Sequence, residues 1–121
     1  MRPLSFHTLW LAVGWALVIL VTALSLLPHE DLPDIQYNDK IGHGLAYFAL
    51  MAVFGQIYGA RLRVVLLLLA MGALIEVLQG LSGYRDMSFF DWLADAAGVA
   101  AAWGLTRLTP DLLARLESRL P

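Results

Sequence analysis

Between His7 and Leu27 the chain runs for 21 residues without a charge and stops at Pro28. About 20 apolar residues are enough to cross a bilayer as a helix. Inside lipid every backbone N–H and C=O must be satisfied within the protein, which leaves helices or closed barrels. Three further apolar runs of about helix length follow, at 41–58, 64–81 and 89–108. Four such runs in 121 residues restrict the chain to a small all-α membrane bundle with four transmembrane helices. Residues 1–121 then form a single membrane domain, with no length left for a soluble one.

Composition agrees. The chain is 60% hydrophobic and 15% charged, against about 45–50% and about 25% in soluble domains. The net charge of −2 and the scattered basic residues give no footprint for nucleic acid. The lack of cysteine excludes disulfides, thiol catalysis and thiolate metal sites. Arg2 and Ala23-Leu24-Ser25 give the first run the outline of a signal peptide. Its apolar stretch exceeds the roughly 7–15 residues of a signal core, so it is read as a retained span.

The connections are short. Residues 29–40 are polar and acidic, and Gly59 to Arg63 make a tight basic turn. Gly83 suits a helix C-cap, and Ser88-Phe89-Phe90-Asp91 has the capping-box form that opens a helix. Thr109-Pro110-Asp111 opens another. Beyond it, Leu112, Leu113, Leu116 and Leu120 share one face, with Arg115, Glu117 and Arg119 elsewhere. That pattern fits a short C-terminal interfacial helix or a frayed tail.

Orientation follows from the basic residues. Arg2, Arg61, Arg63, Arg107, Arg115 and Arg119 fall on one side of a four-span arrangement, and Lys40 and Arg85 on the other. Six against two is a positive-inside bias. It places both termini in the cytoplasm and the other two loops on the outer face of the bacterial cytoplasmic (inner) membrane, which is the periplasm in a double-membraned bacterium or the cell exterior otherwise.

That topology gathers separated polar residues at the outer level. Asp39, Lys40 and His43 open the second span, with Tyr47 one turn further. Glu76 and Gln79 close the third, Arg85 lies in the next loop, and Asp91 and Asp95 open the fourth. At ~1.5 Å per residue, Asp95 lies about 10 Å below Ser88, too deep for a simple helix cap. Charge at such depth is costly and usually functional. Helical spacing continues each polar stripe into small residues: Glu76 with Gly72, and Asp91 and Asp95 with Gly98 and Ala102. Gly72 and Gly98 are therefore assigned to close helix packing. The candidate ligand-binding set is Asp39, Lys40, His43, Tyr47, Glu76, Gln79, Arg85, Asp91 and Asp95. No catalytic residue is assigned among them. No metal ligand is assigned either, and no cofactor is expected.

The ordered set Asp39-Lys40-x-x-His43, Glu76-x-x-Gln79, Arg85, Asp91, Asp95 and Gly98 resembles the VanZ-like family of small bacterial membrane proteins. The resemblance spans about residues 39–104. The family often carries asparagine where Asp95 stands, so aspartate adds a charge here. The resemblance implies a cell-envelope role of the teicoplanin- and antibiotic-resistance type. The site would then face membrane lipid and bind a lipid-linked cell-wall precursor or lipoglycopeptide without catalysis. Two other classes fit the residues. One is an intramembrane hydrolase or transferase acting on a lipid-linked phosphate or glycan, with His43, Glu76, Asp91 and Asp95 as acid/base groups or as ligands for a hard or borderline metal. The other is ion or lipid translocation. It is poorly served by an inner half that offers only Gln56 and small residues.

Overall fold

The computed structural model describes residues 4–26, 39–82 and 89–119. They form five helices, with no strand among the described residues: α1 (His7–Leu26), α2 (Asp39–Tyr58), α3 (Leu62–Ser82), α4 (Phe89–Leu108) and α5 (Leu112–Glu117). The helices α1, α2 and α3 are long and apolar enough to cross a membrane. α4 has the same 20-residue length, but it carries Asp91, Asp95 and Arg107 and is less apolar. Gly83 and Arg85 lie outside the described residues, as do the sequence features between 27 and 38. The side chains of Asp39 and Lys40, which open α2, also lie outside them.

Each inner helix buries one stripe. On α3 the buried positions Val65, Leu68, Gly72, Ile75, Glu76 and Gln79 recur every three or four residues, the repeat of one helical face. Leu66, Leu67, Leu74, Leu78 and Leu81 point outward. On α4 the buried stripe is Asp95, Gly98, Val99, Ala102 and Thr106. α1 buries only Gly14 and exposes Trp15, Ile19 and Leu20, as befits a helix at the edge of the bundle.

The core is the seam between α2 and α4, which pack more extensively than any other pair. Tyr47, Leu50 and Met51 of α2 are almost fully buried there, with Val99 and Ala102 of α4. Lipid tails are as apolar as leucine, so membrane helices are held by close packing and interhelical hydrogen bonds. Glycine permits the close approach. A Cβ at Gly98 would overlap the Gly44 carbonyl oxygen and meet the Phe48 backbone nitrogen at 3.0 Å. Further along, a Cβ at Gly55 would stand 3.1 Å from Thr106 Oγ1. These pairings run α2 and α4 side by side in the same direction. At the α1–α2 crossing, a Cβ at Gly14 would stand 2.8 Å from the Phe54 ring.

Tryptophans and backbone carbonyls fix the remaining helices. Trp92 of α4 donates its indole N–H to Leu69 O on α3 at 3.0 Å. Trp103 donates to Ala60 O at 3.2 Å, in the turn between α2 and α3. Gly59 makes that turn with a left-handed φ of 94°, a conformation that favours glycine, and its N–H closes on Gly55 O.

The C-terminal helix departs from the expected pattern. Glu117, assigned by spacing to the polar side, is buried. Its carboxylate accepts the Ser5 and Phe6 backbone N–H groups at 2.9 and 2.8 Å and the Trp10 indole at 2.7 Å. A helix start leaves its first N–H groups without intrahelical partners and carries partial positive charge. Glu117 supplies both acceptor and counter-charge to α1 from the far end of the chain. Leu113 is buried, whereas Leu116, expected on the same apolar face, is exposed. Gln56 holds the α4–α5 junction, donating to Thr109 O at 2.7 Å and accepting from Leu113 N at 3.3 Å.

Candidate functional site

Three helices converge at one end of the bundle. The first turns of α2 bring His43, the last turns of α3 bring Glu76, and the first turns of α4 bring Asp91 and Asp95. One ligand atom each from His43, Glu76 and Asp95 lies within 4.8 Å of the other two. Residues 33 and 19 positions apart along the chain thus meet in one centre. Of the nine candidate residues, these three are brought within ligand distance of one another, and the side chains of Asp39, Lys40 and Arg85 lie outside the described residues.

Its geometry is defined around the imidazole. His43 Nδ1 stands 3.0 Å from Asp95 Oδ1, and His43 Nε2 stands 3.8 Å from Asp91 Oδ2. Both nitrogens therefore face carboxylates one turn apart on α4. Burial is graded. Asp95 and Glu76 are 2% and 4% exposed, while the His43 and Asp91 side chains are 11% and 14% exposed. The centre has a closed floor and a partly open rim.

Small residues make the floor. A Cβ at Gly72 would stand 2.9 Å from Asp95 Oδ2 and 3.4 Å from Trp92 Cδ1, so glycine on α3 makes room for the carboxylate reaching over from α4. The close approach at Gly98 and Gly44 sits one turn further in. Tyr47, one turn along α2 from His43, is 2% exposed. Its hydroxyl has no hydrogen-bond partner among the described residues and lies within electrostatic reach of Asp95 and Glu76.

Gln79 has a structural partner. Its side-chain N–H donates to Ser25 O at 2.7 Å, satisfying a carbonyl in the last turn of α1 and drawing α1 to the polar end. Sequence reasoning missed this contribution. A backbone carbonyl carries no residue signal, and α1 has no charged residue to mark it.

Chemically, the centre offers one imidazole and two buried carboxylates. Two anions at this separation in an apolar surrounding need positive charge beside them, whether imidazolium, a proton or a bound cation. The arrangement can hold hydrogen-bond donors, exchange a proton between His43 and Asp95, or ligate a cation. Comparison with known protein families, characterised proteins and solved structures finds no match for this chain.

Proposed function

We propose that the chain is a four-span protein of the bacterial cytoplasmic membrane, with both termini inside. Its outer polar centre binds the head group of a lipid-linked cell-wall precursor or a lipoglycopeptide. The observation carrying this reading is the convergence of His43, Glu76 and Asp95 from three helices, open along the His43–Asp91 rim. Hydrogen-bonding groups at a partly open rim suit the hydroxyls and amides of a sugar or peptide. Arg85, adjacent in sequence to α4, would supply bidentate contact to phosphate or carboxylate. α4 completes the bundle as the fourth span, its buried stripe covered by α2 and α3. The VanZ-like resemblance of residues 39–104 adds the envelope context.

The test is equilibrium binding of labelled precursor to purified protein in nanodiscs. Native protein should bind, and Glu76→Ala and Arg85→Ala should each weaken binding at least tenfold. Equal binding by native and variant proteins would contradict the reading.

A second reading has its own support. The His43–Asp95 contact at 3.0 Å is within reach for general acid–base work, which suits a hydrolase or transferase acting on a lipid-linked phosphate or glycan. Turnover of polyprenyl phosphate or phospholipid, lost in His43→Gln, would favour it over binding alone. Translocation gains nothing further: Gln56, the polar residue offered by the inner half, is engaged with Thr109 and Leu113.

A further inference from the structure

The three donors that meet at the polar centre also form a ligand set, although no motif spacing announces it. We propose that His43, Glu76 and Asp95 bind one divalent first-row transition ion, Zn²⁺ or Mn²⁺, in the membrane-embedded end of the bundle.

The geometry suits such an ion. Two ligands on an ion with bonds of about 2.1 Å stand about 3.4 Å apart at the tetrahedral angle and about 3.0 Å apart at a right angle. The latter is the His43 Nδ1 to Asp95 Oδ1 separation of 3.0 Å. Glu76 places its oxygen within 4.8 Å of both, and drawing it in to within about 4.2 Å, the widest separation such bonds allow, completes the set. The two carboxylates match the charge of one dication. The mixed imidazole–carboxylate set favours zinc or manganese over magnesium or calcium, which prefer oxygen alone.

Two further features stand where a metal site needs them. Metal-binding histidines hold their second nitrogen against a carboxylate or carbonyl, which fixes the tautomer and ring orientation. His43 Nε2 faces Asp91 Oδ2 at 3.8 Å, leaving Nδ1 for the ion. Independently, Tyr47 buries a hydroxyl that has no partner among the described residues. An unsatisfied buried hydroxyl costs about 1–3 kcal/mol. A water completing the ion's coordination, one turn along α2 from His43, would give that hydroxyl a hydrogen-bond partner. The partly exposed His43 and Asp91, at 11% and 14%, form the less closed side of the set.

The inference stands on the protein's own donors and does not depend on what head group, if any, is bound. The experiment uses full-length protein carrying a tag without histidine, purified in metal-depleted buffer and titrated with Zn²⁺, Mn²⁺ and Mg²⁺. Bound metal is read by plasma mass spectrometry, and the coordination of Mn²⁺ by electron spin-echo modulation from ligating nitrogen. Native protein should bind one equivalent of Zn²⁺ or Mn²⁺, with Mg²⁺ at least a hundredfold weaker. Glu76→Gln and Asp95→Asn should bind less than a tenth of an equivalent. Asp91→Asn should bind ten- to a hundredfold more weakly, and His7→Ala should bind as native. Stoichiometric binding retained in Glu76→Gln and Asp95→Asn, or no native binding, would overturn the proposal. So would Mg²⁺ binding as tightly as Zn²⁺. Should a variant fail to fold, the nitrogen modulation of native protein decides, because its absence overturns imidazole coordination. Precursor binding that survives metal removal would leave the head-group reading intact while the metal inference stood or fell separately.

Discussion

Individual residues carry more of this fold than their size suggests. Gly98 lies where the Gly44 carbonyl passes, so a methyl group there must push α2 and α4 apart. Overpacking of this kind costs about 1–3 kcal/mol. Gly98→Ala should lower the melting temperature in detergent by several degrees. A melt equal to native would show that the seam can open freely. Glu117 makes a pH-dependent prediction. Burial works to raise its pKa, but the Phe6 and Ser5 N–H groups and the Trp10 indole outweigh burial and hold it below the ordinary value of 4.5. A lowered carboxyl pKa contributes stability that is complete above the unfolded value and lost as pH falls through the folded one. Native protein should therefore melt higher than Glu117→Gln by a constant margin above pH 4.5, and the margin should shrink below it. A margin unchanged down to strongly acid pH would mean that the carboxylate charge is not what holds α1.

Among elements, α5 and its anchors show what sequence patterning can and cannot reveal. Helix positions were readable because apolar runs of bilayer length admit few alternatives. α1, α2, α3 and α4 each lie within a few residues of the expected runs. The polar centre was readable as well. His43, Glu76, Asp91 and Asp95 mark helix ends that span order must bring to one level. What escaped was every contact made by backbone. Ser25 O takes the Gln79 amide, Leu69 O takes Trp92, and the Ser5 and Phe6 N–H groups take Glu117. Backbone groups are the same at every residue, so no side-chain pattern points to them. Glu117 misled for a related reason. Spacing places it off the leucine face, and only the arrival of the α1 N-terminus makes that position buried. Gln56→Leu tests the other anchor. It leaves the Thr109 carbonyl and Leu113 N–H without their side-chain partner, at about 1–3 kcal/mol. Limited proteolysis should cut the α4–α5 junction faster than in native protein, and an unchanged rate would show that Leu113 packing alone holds α5.

On the scale of the whole molecule, the arrangement is a bundle with two polar ends of different kinds. One is tied by Gln56 and Glu117. The other gathers a histidine and carboxylates behind a narrow rim. Its orientation can be read directly, since the chain has no cysteine to remove. Phe89→Cys should react with a membrane-impermeant thiol reagent on intact cells. Ala60→Cys should react only after the membrane is opened, and the reverse pattern would invert the proposed topology.

On the proposed function, the His43–Glu76–Asp95 centre exists for a ligand rather than to hold the helices together. Buried charge kept for binding leaves stability to be gained when it is neutralised, whereas a structural ion network loses stability. The most direct measurement is the melting temperature of Glu76→Gln beside native protein, in nanodiscs free of metal and precursor at neutral pH. We predict a melt equal to or higher than native. A fall of more than about 5 °C, on the order of 1 kcal/mol for a chain of this size, would contradict the claim and assign the centre to the fold itself.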